Sequence, residues 1–459
     1  MKEYDVIVIG SGAGAIVVEQ ALAHGLSVAL ADKGPLGGTC LNVGCIPTKM
    51  LIFPADRVVE IQEAAKLGIQ AEIRQVDFQA IMERMRRTIG ISQSHIREGI
   101  EHTEELDFYE GPGSFVEDYT LETGGERIKG RKVFIASGAR PLIPPIKGIE
   151  NVDYLTNENI LELTQRPKSL IIIGGGYIAA EFGHFFAAMG TKVTILQRAE
   201  RLVRDEEPEV SELLKTKMGK RMDIFTNTEA REIKRKNEEM RVVARDKVSG
   251  EEREFRAEKV LLAAGRKSNA DLLKVEETGV KVDQRGYIAV NDYLETSKEN
   301  IWAFGDAIGK KMFRHSANRE ADLVWHNAIH GERNKVDYDK VPHAVFSYPQ
   351  VASVGLREEE ARQDHDILVG KARYSEVAKG EAMMDEDSFA KIIIEKNSGR
   401  ILGFHVIGPY APILVQEVIN AMSIDGTVRP IINGMHIHPA LSEVIQSTLG
   451  NLHEPRQKG

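Results

Sequence analysis

The sequence predicts an α/β fold with two Rossmann-like dinucleotide-binding domains and a C-terminal α+β domain. Two glycine-rich segments, about 165 residues apart, repeat one pattern of apolar strand, glycine turn, helix and second strand. From about residue 340, Pro and Gly interrupt strand-like runs such as 390–394 and 401–408. Those runs predict an antiparallel sheet, which we expect to carry its helices on one side.

Composition limits the class of protein. The chain has 459 residues, 42% of them hydrophobic and 28% charged, and a formal net charge of −9. This length accommodates roughly three domains of about 150 residues. The acidic balance argues against a nucleic-acid surface, and no apolar run approaches the ~20 residues that span a bilayer. Because the N-terminus lacks a secretory signal, we expect a cytoplasmic protein with small-molecule partners and no membrane or nucleic-acid partner.

The first glycine segment carries Gly10, Gly12 and Gly14 of the pattern G-x-G-x-x-G/A, which ends here in Ala15. Glycine lets the backbone turn tightly and approach a pyrophosphate, whose charge the following helix N-terminus stabilises. Asp32 lies 22 positions after Gly10, where an acid accepts hydrogen bonds from ribose hydroxyls. This arrangement favours an unphosphorylated adenosine ribose, as in FAD.

The second glycine segment has the same form. Gly174 and Gly176 lead through Tyr177 and Ile178 into a predicted helix, and Ala179 ends the pattern. Two such segments, each between a strand and a helix, predict two nucleotide sites in one chain.

The end of the strand after this second segment indicates that the second nucleotide site binds a different dinucleotide from the first. It carries no acid and reads Gln197-Arg198, with Arg204 six residues later. Arginines near a ribose accommodate a 2′-phosphate through charge-assisted hydrogen bonds. We therefore expect NADPH, with NADH as the alternative if Arg198 and Arg204 are only solvated surface charges.

Both cysteines of the chain lie five positions apart, at Cys40 and Cys45, among glycines and before Pro47 and Lys49. Two buried apolar cysteines could fall together by chance. A zinc site needs a complete set of ligands, which this spacing lacks, so we expect no metal. The remaining interpretation is a disulfide that opens and closes with two electrons, which suits a reducing cytosol.

These motifs together resemble the class I pyridine nucleotide-disulfide oxidoreductases, the flavin disulfide reductases that include dihydrolipoamide dehydrogenase, glutathione reductase, mycothione reductase and mercuric reductase. The resemblance covers essentially the whole length. It rests on the redox run at 36–49, both glycine segments, and the short motifs at 136–138, 264–266, 305–306 and 436–443.

The resemblance implies a role for each matching residue. Cys40 would be the thiol that attacks a substrate disulfide, and Cys45 the thiolate against the flavin. Lys49 would lie near the reactive nitrogen of the flavin, paired with Glu181, and Tyr177 would be an aromatic lid over the nicotinamide site. Further cofactor contacts would come from Lys33, Gly38, Thr39, Gly113, Ser137, Gly138, Gly265, Arg266 and Asp306.

His438 would be the general acid–base of the family, contributed by the second subunit of a homodimer, and Glu443 would orient it. Thiol–disulfide exchange requires these residue types. The thiolate is the nucleophile, and another group must return a proton to the leaving sulfur. A histidine does this near pH 7, and a carboxylate fixes its tautomer. The two residues are five apart across Pro439.

The resemblance also implies the domain boundaries. Residues 1–148 would form the first part of the FAD domain, 149–270 the NAD(P) domain, 271–338 the second part of the FAD domain, and 339–459 the dimerisation domain. The last ten residues, 450–459, are polar and expected to fray.

The expected activity is that of an FAD-dependent NAD(P)H:disulfide oxidoreductase acting on a small disulfide or dithiol. Mercuric reductases and large thioredoxin reductases need further C-terminal cysteines or selenocysteine, which are missing. Gln197 stands where dihydrolipoamide dehydrogenases usually have an acid, although the segment at 436–443 resembles the corresponding segment of those enzymes. Three other segments are more similar to mycothione reductase: 45–50, 268–273 and 437–441. The alternative is a flavoprotein subunit that docks into a 2-oxoacid dehydrogenase complex, for which we expect no tether, because the sequence contains no flexible Ala/Pro linker. A redox-inactive nucleotide binder would have lost Cys40, Cys45 or His438.

Overall fold

The computed structural model describes residues 1–455. The strands are β1 (Lys2–Ile9), β2 (Val28–Asp32), β3 (Leu106–Glu110), β4 (Ser114–Glu117), β5 (Thr120–Thr123), β6 (Glu126–Ile135), β7 (Ala139–Pro141), β8 (Ser169–Ile173), β9 (Lys192–Leu196), β10 (Asp223–Phe225), β11 (Thr228–Lys236), β12 (Glu239–Asp246), β13 (Glu252–Ala257), β14 (Lys259–Leu262), β15 (Arg266–Ser268), β16 (Ile301–Ala303), β17 (His343–Val345), β18 (Val351–Gly355), β19 (Ile367–Arg373), β20 (Phe389–Glu395) and β21 (Ile401–Ile407).

The α-helices are α1 (Gly14–Ala23), α2 (Gly38–Asn42), α3 (Cys45–Glu63), α4 (Phe78–Glu101), α5 (Tyr177–Ala188), α6 (Pro208–Met218), α7 (Ala270–Leu273), α8 (Arg314–His330), α9 (Glu358–Asp364), α10 (Ala378–Ala382), α11 (Ala411–Ile424), α12 (Arg429–Asn433) and α13 (Glu443–Gly450). Short 3₁₀ segments lie at Ala64–Leu67, Ile149–Asn151, Ile160–Glu162, Val275–Thr278, Gly305–Ile308, Tyr338–Lys340 and Tyr374–Glu376.

The chain divides into two compact units. The first consists of Met1–Thr48, Met82–Leu142 and Gly265–Tyr338. Its main sheet has the order β3-β2-β1-β6, all parallel, with β16 parallel to the end of β6 and the β5-β4 hairpin antiparallel to its beginning. The second half of the central strand β1, Val6 to Ile9, is entirely apolar and buried, as expected of a parallel strand covered on both faces, whereas Lys2 and Glu3 at its start are exposed.

The second unit consists of Lys49–Ile81, Ile143–Ala264 and the C-terminal stretch from Asp339. It holds a parallel sheet of order β10-β9-β8-β14, an antiparallel sheet β11-β12-β13, and an antiparallel sheet of order β17-β18-β21-β20-β19. The two parallel sheets and the C-terminal antiparallel sheet confirm the predicted fold class. The four-part domain division stays a prediction.

Each parallel sheet begins with a strand that ends at a glycine turn. Gly10 has φ +103°, and a Cβ on it would lie 2.3 Å from the Ala136 carbonyl oxygen. Gly174 has φ +132°, and a Cβ there would lie 2.1 Å from the Ala263 carbonyl oxygen. Only glycine satisfies both the backbone angle and the close approach, so the two segments share one structural reason for their first glycine.

The C-terminal sheet is covered on both faces, which corrects the expectation of helices on one side. α11 and α13 pack on one face, and the short α9 packs on the other with Ile393 and Leu402. The reason is visible in β20 and β21, whose side chains are buried on both faces rather than in alternation.

The expectation that residues 450–459 fray is wrong for its first part. α13 continues to Gly450, and His453 exchanges backbone hydrogen bonds with Val369. Residues 456–459 lie outside the described residues, so the prediction is untested there. Within residues 1–455, no helix is both long and apolar enough to cross a bilayer.

Candidate active site

The two cysteines lie on consecutive helices after β2. Cys40 is half-buried in α2, and Cys45 is exposed as the first residue of α3. The Asn42 amide fixes the loop before them, because its Nδ2 donates to the carbonyl oxygens of Leu36 and Gly38, each at 2.9 Å. The partial positive charge at the start of a helix of 19 residues favours an anionic sulfur at Cys45.

Lys49 lies one turn further along α3 and pairs with Glu181 of α5. The Lys49 Nζ is 2.7 Å from the Glu181 Oε2, and the Glu181 side chain is only 6% exposed. The other carboxylate oxygen accepts a hydrogen bond from the Phe346 amide at 3.1 Å, and the Phe346 ring lies 4.4 Å from Nζ. The lysine is therefore fixed by a buried carboxylate and an aromatic face, with 34% of its side chain still exposed.

Asp32 is held against the first glycine turn. Its Oδ2 accepts a hydrogen bond from the Ser11 amide at 2.6 Å, and its Oδ1 accepts one from the Gly34 amide at 2.7 Å. The backbones of Gly12 and Gly38 also meet, since a Cβ on Gly38 would lie 2.7 Å from the Gly12 Cα. This cradle of bare backbone beside an oriented carboxylate fits the ribose and pyrophosphate of the predicted FAD.

Ser137 and Gly138 follow β6 in the same unit. The Ser137 Oγ is buried and has no hydrogen-bond partner among residues 1–455, so a polar group of a ligand would satisfy it. Arg266 Nε lies 3.3 Å from Asp306 Oδ2. Burial raises the pKa of Asp306, and the guanidinium of Arg266 opposes that rise. These polar groups also fit the predicted FAD.

The second glycine segment leaves open space where α5 begins. Gly176 is exposed with no atom within 4 Å of a would-be Cβ, and Tyr177 and Ile178 start the helix. A phosphate group fits such a helix N-terminus. This region therefore fits the predicted nicotinamide cofactor.

Gln197 occupies the end of β9 and is buried. A Cβ on Gly175 would lie 2.7 Å from the Gln197 side chain, so the glutamine packs directly over the glycine turn. Arg198 and Arg204 are exposed, as a contact with a 2′-phosphate requires. Arg201, which sequence reasoning missed, is half-buried, and its Nε has no hydrogen-bond partner among the described residues.

His438 and Glu443 meet at the start of α13. The His438 Nδ1 is 2.9 Å from the Glu443 Oε1, while the other carboxylate oxygen accepts from the Ala440 amide at 2.9 Å. The hydrogen bond from His438, and then that from the Ala440 amide, lower the pKa of Glu443. An ionised Glu443 keeps the proton on Nδ1, which leaves Nε2 of a side chain that is 73% exposed to exchange a proton with a ligand.

Comparison with known proteins decides the family. The family model described as pyridine nucleotide-disulphide oxidoreductase matches residues 4–321, and that of its dimerisation domain matches residues 341–449. The chain belongs to the pyridine nucleotide-disulphide oxidoreductase family. Members of this family are FAD-dependent enzymes that act on sulfur groups and use NAD(P)H.

Relatives match along the whole chain. A mycothione reductase from Mycobacterium tuberculosis is 34% identical, over 98% of this chain and 99% of its own. A dihydrolipoyl dehydrogenase from Geobacillus stearothermophilus is 32% identical, over 96% and 94%. The solved structure of the HOCl-induced flavoprotein disulfide reductase RclA from Escherichia coli superposes with a TM-score of 0.86 at 28% identity, covering 98% of this chain and 99% of its own. The family and fold inferred from the sequence are confirmed.

The predicted site residues of this disulphide oxidoreductase fall in both units. Lys33 is exposed, Thr39 and Gly113 are half-buried, and Gly265 is exposed where the chain returns to the first unit. The first unit holds Gly10, Gly12, Gly14, Asp32, Lys33, Gly38, Thr39, Cys40, Cys45, Gly113, Ser137, Gly138, Gly265, Arg266 and Asp306; the second holds Lys49, Gly174, Gly176, Tyr177, Ile178, Glu181, Arg198, Arg204, His438 and Glu443. Within the units, the structure joins Lys49 to Glu181, Arg266 to Asp306 and His438 to Glu443.

Sequence reasoning missed a second polar link between α3 and α5. The His184 Nε2 is 2.8 Å from the Asp56 Oδ1, and both side chains are buried. The signal was present in the spacing, because Asp56 lies seven residues after Lys49 and His184 three after Glu181, so each helix presents both residues on one face.

Proposed function

We propose that this enzyme is an NADPH-preferring, FAD-dependent reductase of a low-molecular-weight disulfide. The observation that carries the preference is the end of β9, where buried Gln197 stands in place of an acid and exposed Arg198 follows. A carboxylate there would repel a 2′-phosphate, whereas arginines attract it. The similarity to a mycothione reductase along the whole chain supports the substrate class.

Asp32, the first glycine turn, Ser137 and Asp306 would hold FAD, which would supply the two-electron chemistry between the nicotinamide and the Cys40–Cys45 disulfide. The segment from Gly174 to Ile178, together with Arg198 and Arg204, would bind the nicotinamide cofactor. Tyr177, exposed at the start of α5, would cover that site until the cofactor binds.

The reduced cysteines then reduce the substrate. The Cys40 thiolate attacks one sulfur of the substrate disulfide, forming a mixed disulfide and releasing the first thiol with a proton from His438. The Cys45 thiolate next attacks the Cys40 sulfur, which closes the Cys40–Cys45 disulfide and releases the second half of the substrate as a thiolate; His438, reprotonated from solvent, gives that thiolate its proton. Glu443 holds His438 in the tautomer that both proton transfers need.

We propose a homodimer in which His438 of the partner subunit serves this reaction. Three large apolar side chains around His438 are exposed: Ile432, Met435 at 99% and Ile437 at 77%. A cluster of this kind on a soluble surface is characteristic of a protein interface. The match to a dimerisation domain over residues 341–449 supports a second copy of the chain as the occupant.

We further propose that residues 1–148 and 271–338 form the FAD domain, 149–270 the NAD(P) domain and 339–459 the dimerisation domain, in a cytoplasmic enzyme. A dithiol that must be reduced in every cycle suits a reducing compartment.

Dihydrolipoamide oxidation is the second candidate. The sequence similarity to a dihydrolipoyl dehydrogenase and the Leu441-Ser442-Glu443 run after the histidine favour it. In this case the enzyme would serve a 2-oxoacid dehydrogenase complex and use NAD⁺.

Steady-state kinetics with both nicotinamides decide between the candidates. We expect kcat/KM to favour NADPH over NADH, with mycothiol disulfide or glutathione disulfide as the second substrate. Arg198→Ala should lower kcat/KM for NADPH by about ten- to a hundredfold, since it removes a charge-assisted contact, and leave NADH unaffected. Arg235→Ala, which removes another exposed arginine, is the control. A preference for NADH together with rapid oxidation of dihydrolipoamide would overturn the proposal in favour of the second candidate.

A further inference from the structure

Arg204, a proposed contact of the nicotinamide cofactor, lies in a tight turn whose two ends are buried. The Glu206 amide donates to the Val203 carbonyl oxygen at 2.8 Å, and the Val203 amide donates to the Gly175 carbonyl oxygen of the second glycine turn at 2.7 Å. Val203 has φ +39°, a left-handed conformation that a β-branched residue adopts only where its surroundings impose it. The turn that presents the exposed Arg204 and Asp205 is therefore anchored to the glycine turn.

The other end of the turn is anchored to the C-terminal sheet. The Glu206 side chain is only 2% exposed, and its Oε1 lies 2.6 Å from the His343 Nε2. Its Oε2 accepts a hydrogen bond from the Ser353 Oγ. The Oε2 of the next residue, Glu207, lies 3.0 Å from the Nζ of the buried Lys391. All of these residues belong to the second unit, so its C-terminal sheet holds the chain directly after the turn.

Arg357 links this anchor directly to Arg204. It stands immediately before α9, at a position where Ser, Thr, Asp or Asn usually accepts a hydrogen bond from the helix N-terminus. Here the Glu207 Oε1 is the acceptor, at 2.5 Å from the Glu358 amide. The Arg357 Nη1 donates a long hydrogen bond of 3.4 Å to the Arg204 carbonyl oxygen, and its Nη2 pairs with the Glu360 Oε1 at 2.5 Å. The guanidinium is thus held by α9 and reaches the backbone of the turn.

Arg357 also changes the charge around Arg204. The Arg204 Nε is 3.7 Å from the Asp205 Oδ1, so this acid competes with a phosphate for the same cation. The hydrogen bond to Glu360 raises the pKa of Arg357 against the effect of its burial, and the negative charges of Asp205 and Glu207 raise it further. Because these acids interact with Arg357 as well, its guanidinium offsets their repulsion of a phosphate at Arg204.

We propose that Arg357 is a positioning residue for Arg204 in the selection of a nucleotide with a 2′-phosphate, an inference that rests on the proposed function. Its guanidinium fixes the carbonyl oxygen of Arg204 and offsets the charge of Asp205, which leaves the Arg204 side chain to the phosphate. Arg357 lies in the segment that matches the dimerisation domain, residues 341–449. That segment therefore contributes to the choice of nucleotide, although it carries none of the predicted contacts to the cofactors.

Replacing Arg357 by glutamine tests the proposal. Arg357→Gln removes the positive charge and the contact with the Arg204 carbonyl oxygen but keeps a polar side chain beside Glu360. We expect kcat/KM for NADPH to fall about three- to tenfold through a rise in KM, the effect of one lost hydrogen bond. The value for NADH should stay within about twofold of the wild type. Arg357→Lys, which keeps the charge, should recover most of the loss.

Two further measurements separate positioning from a general loss of structure. Calorimetric titration of the full-length holoenzyme with NADP⁺ and with NAD⁺ measures binding without turnover, and Arg357→Gln should weaken the binding of NADP⁺ alone. In the Arg204→Ala background, Arg357→Gln should have no further effect on NADPH, because the two residues act through one contact. Arg400→Gln, at an exposed arginine of the same unit that pairs with Glu395, is the matched control and should leave both nucleotides unaffected.

The outcomes are distinct. A loss that is confined to NADPH and NADP⁺ and disappears in the Arg204→Ala background supports the inference. Equal losses for both nucleotides, no loss, or an undiminished loss in the Arg204→Ala background overturn it, and the proposed function stands as long as the wild type prefers NADPH. If Arg204→Ala retains the full preference, the inference is overturned, since Arg204 then makes no contact to position, and Arg198 alone carries the proposed selectivity. If the wild type prefers NADH, the proposed function and this inference are both overturned.

Discussion

Cys45 stands at the first residue of α3, whereas Cys40 lies half-buried in the preceding helix. This difference in local environment is consistent with the proposed roles, in which Cys45 accepts electrons and Cys40 attacks the substrate. A thiolate at a helix N-terminus is stabilised by the backbone dipoles, which favours a resting anion at Cys45.

Replacing Cys40 tests this division. We expect Cys40→Ser to reduce disulfide turnover by more than about 10³-fold, because the nucleophile is lost, while NADPH still reduces the flavin. In stopped-flow spectra, the long-wavelength absorption of a thiolate beside the flavin should persist in Cys40→Ser. The companion variant Cys45→Ser should lose both the turnover and that absorption. Turnover that survives in Cys40→Ser but not in Cys45→Ser would reverse the two roles.

At the scale of secondary-structure elements, the packing of helices places side chains beside their hydrogen-bond and ion-pair partners. Helices α3 and α5 are joined twice, by Lys49 with Glu181 and by Asp56 with His184. Both links lie within the second unit, where they fix the part of α3 from Lys49 onward against α5.

We expect Asp56→Ala to lower the free energy of unfolding by about 1–3 kcal/mol, since it leaves the buried His184 N–H without an acceptor. Asp56→Asn keeps a carbonyl oxygen and should recover most of that loss. Glu60→Ala, which removes an exposed ion pair with Arg57 on the same helix, should cost no more than about 0.5 kcal/mol. Urea unfolding of the three variants measures the difference, and equal losses for Asp56→Ala and Glu60→Ala would contradict a structural role for the buried pair.

Sequence reasoning identified the elements whose pattern is local. Strand–glycine–helix segments and the redox run are each contained in about 30 residues, and their backbone requirements are strict at positions such as Gly10 and Gly174. The resemblance also supplied the partner of Lys49. No local pattern indicated that the Phe346 amide would hold Glu181, because that partner lies 165 residues away and acts through its backbone.

The polar face of the C-terminal sheet was not predicted, because its contacts also join residues that lie far apart in the sequence. Lys391 lies inside an apolar run and would be expected at the surface, yet its amine is buried against Glu207, Glu209 and Glu358 at 2.7–3.0 Å. Those three carboxylates come from two other elements, so no sequence window contains them together. Burial opposes ionisation of Lys391, but the three carboxylates outweigh it and raise its pKa.

At the scale of the whole molecule, two buried histidines give stability a pH dependence. Burial lowers the pKa of His184 and of His405 below the ordinary value of 6.5. As the pH falls below 6.5, the unfolded chain takes up protons at these two side chains that the folded chain excludes, so the free energy of unfolding decreases.

We therefore expect the urea midpoint to fall between pH 7.5 and pH 5.5. His405→Gln should flatten this dependence, because Gln has no proton to gain, whereas His102→Gln at an exposed site should leave it unchanged. Chemical unfolding at several pH values measures the slope. An identical slope in wild type and His405→Gln would show that His405 does not contribute.

The face of the C-terminal sheet that carries Lys391 brings residues from distant parts of the chain together in one row across the strands. Directly paired positions on the five strands place one polar residue from each strand side by side, under the acidic start of α6, where Glu206, Glu207 and Glu209 contact the row. In strand order the row is His343, Ser353, His405, Lys391 and Lys371.

The residues and strands of this row are synthesised at different times. The acidic residues at 206–209 leave the ribosome long before Lys391, and β21, the last strand to be made, occupies the centre of the sheet rather than its edge. Until β21 inserts, β18 is paired only with β17 and β20 only with β19, so the two halves of the sheet are not joined. A nascent chain that ends before β21 therefore exposes one unpaired edge on each of two hairpin-like strand pairs, and such edges are sites at which unfinished chains associate.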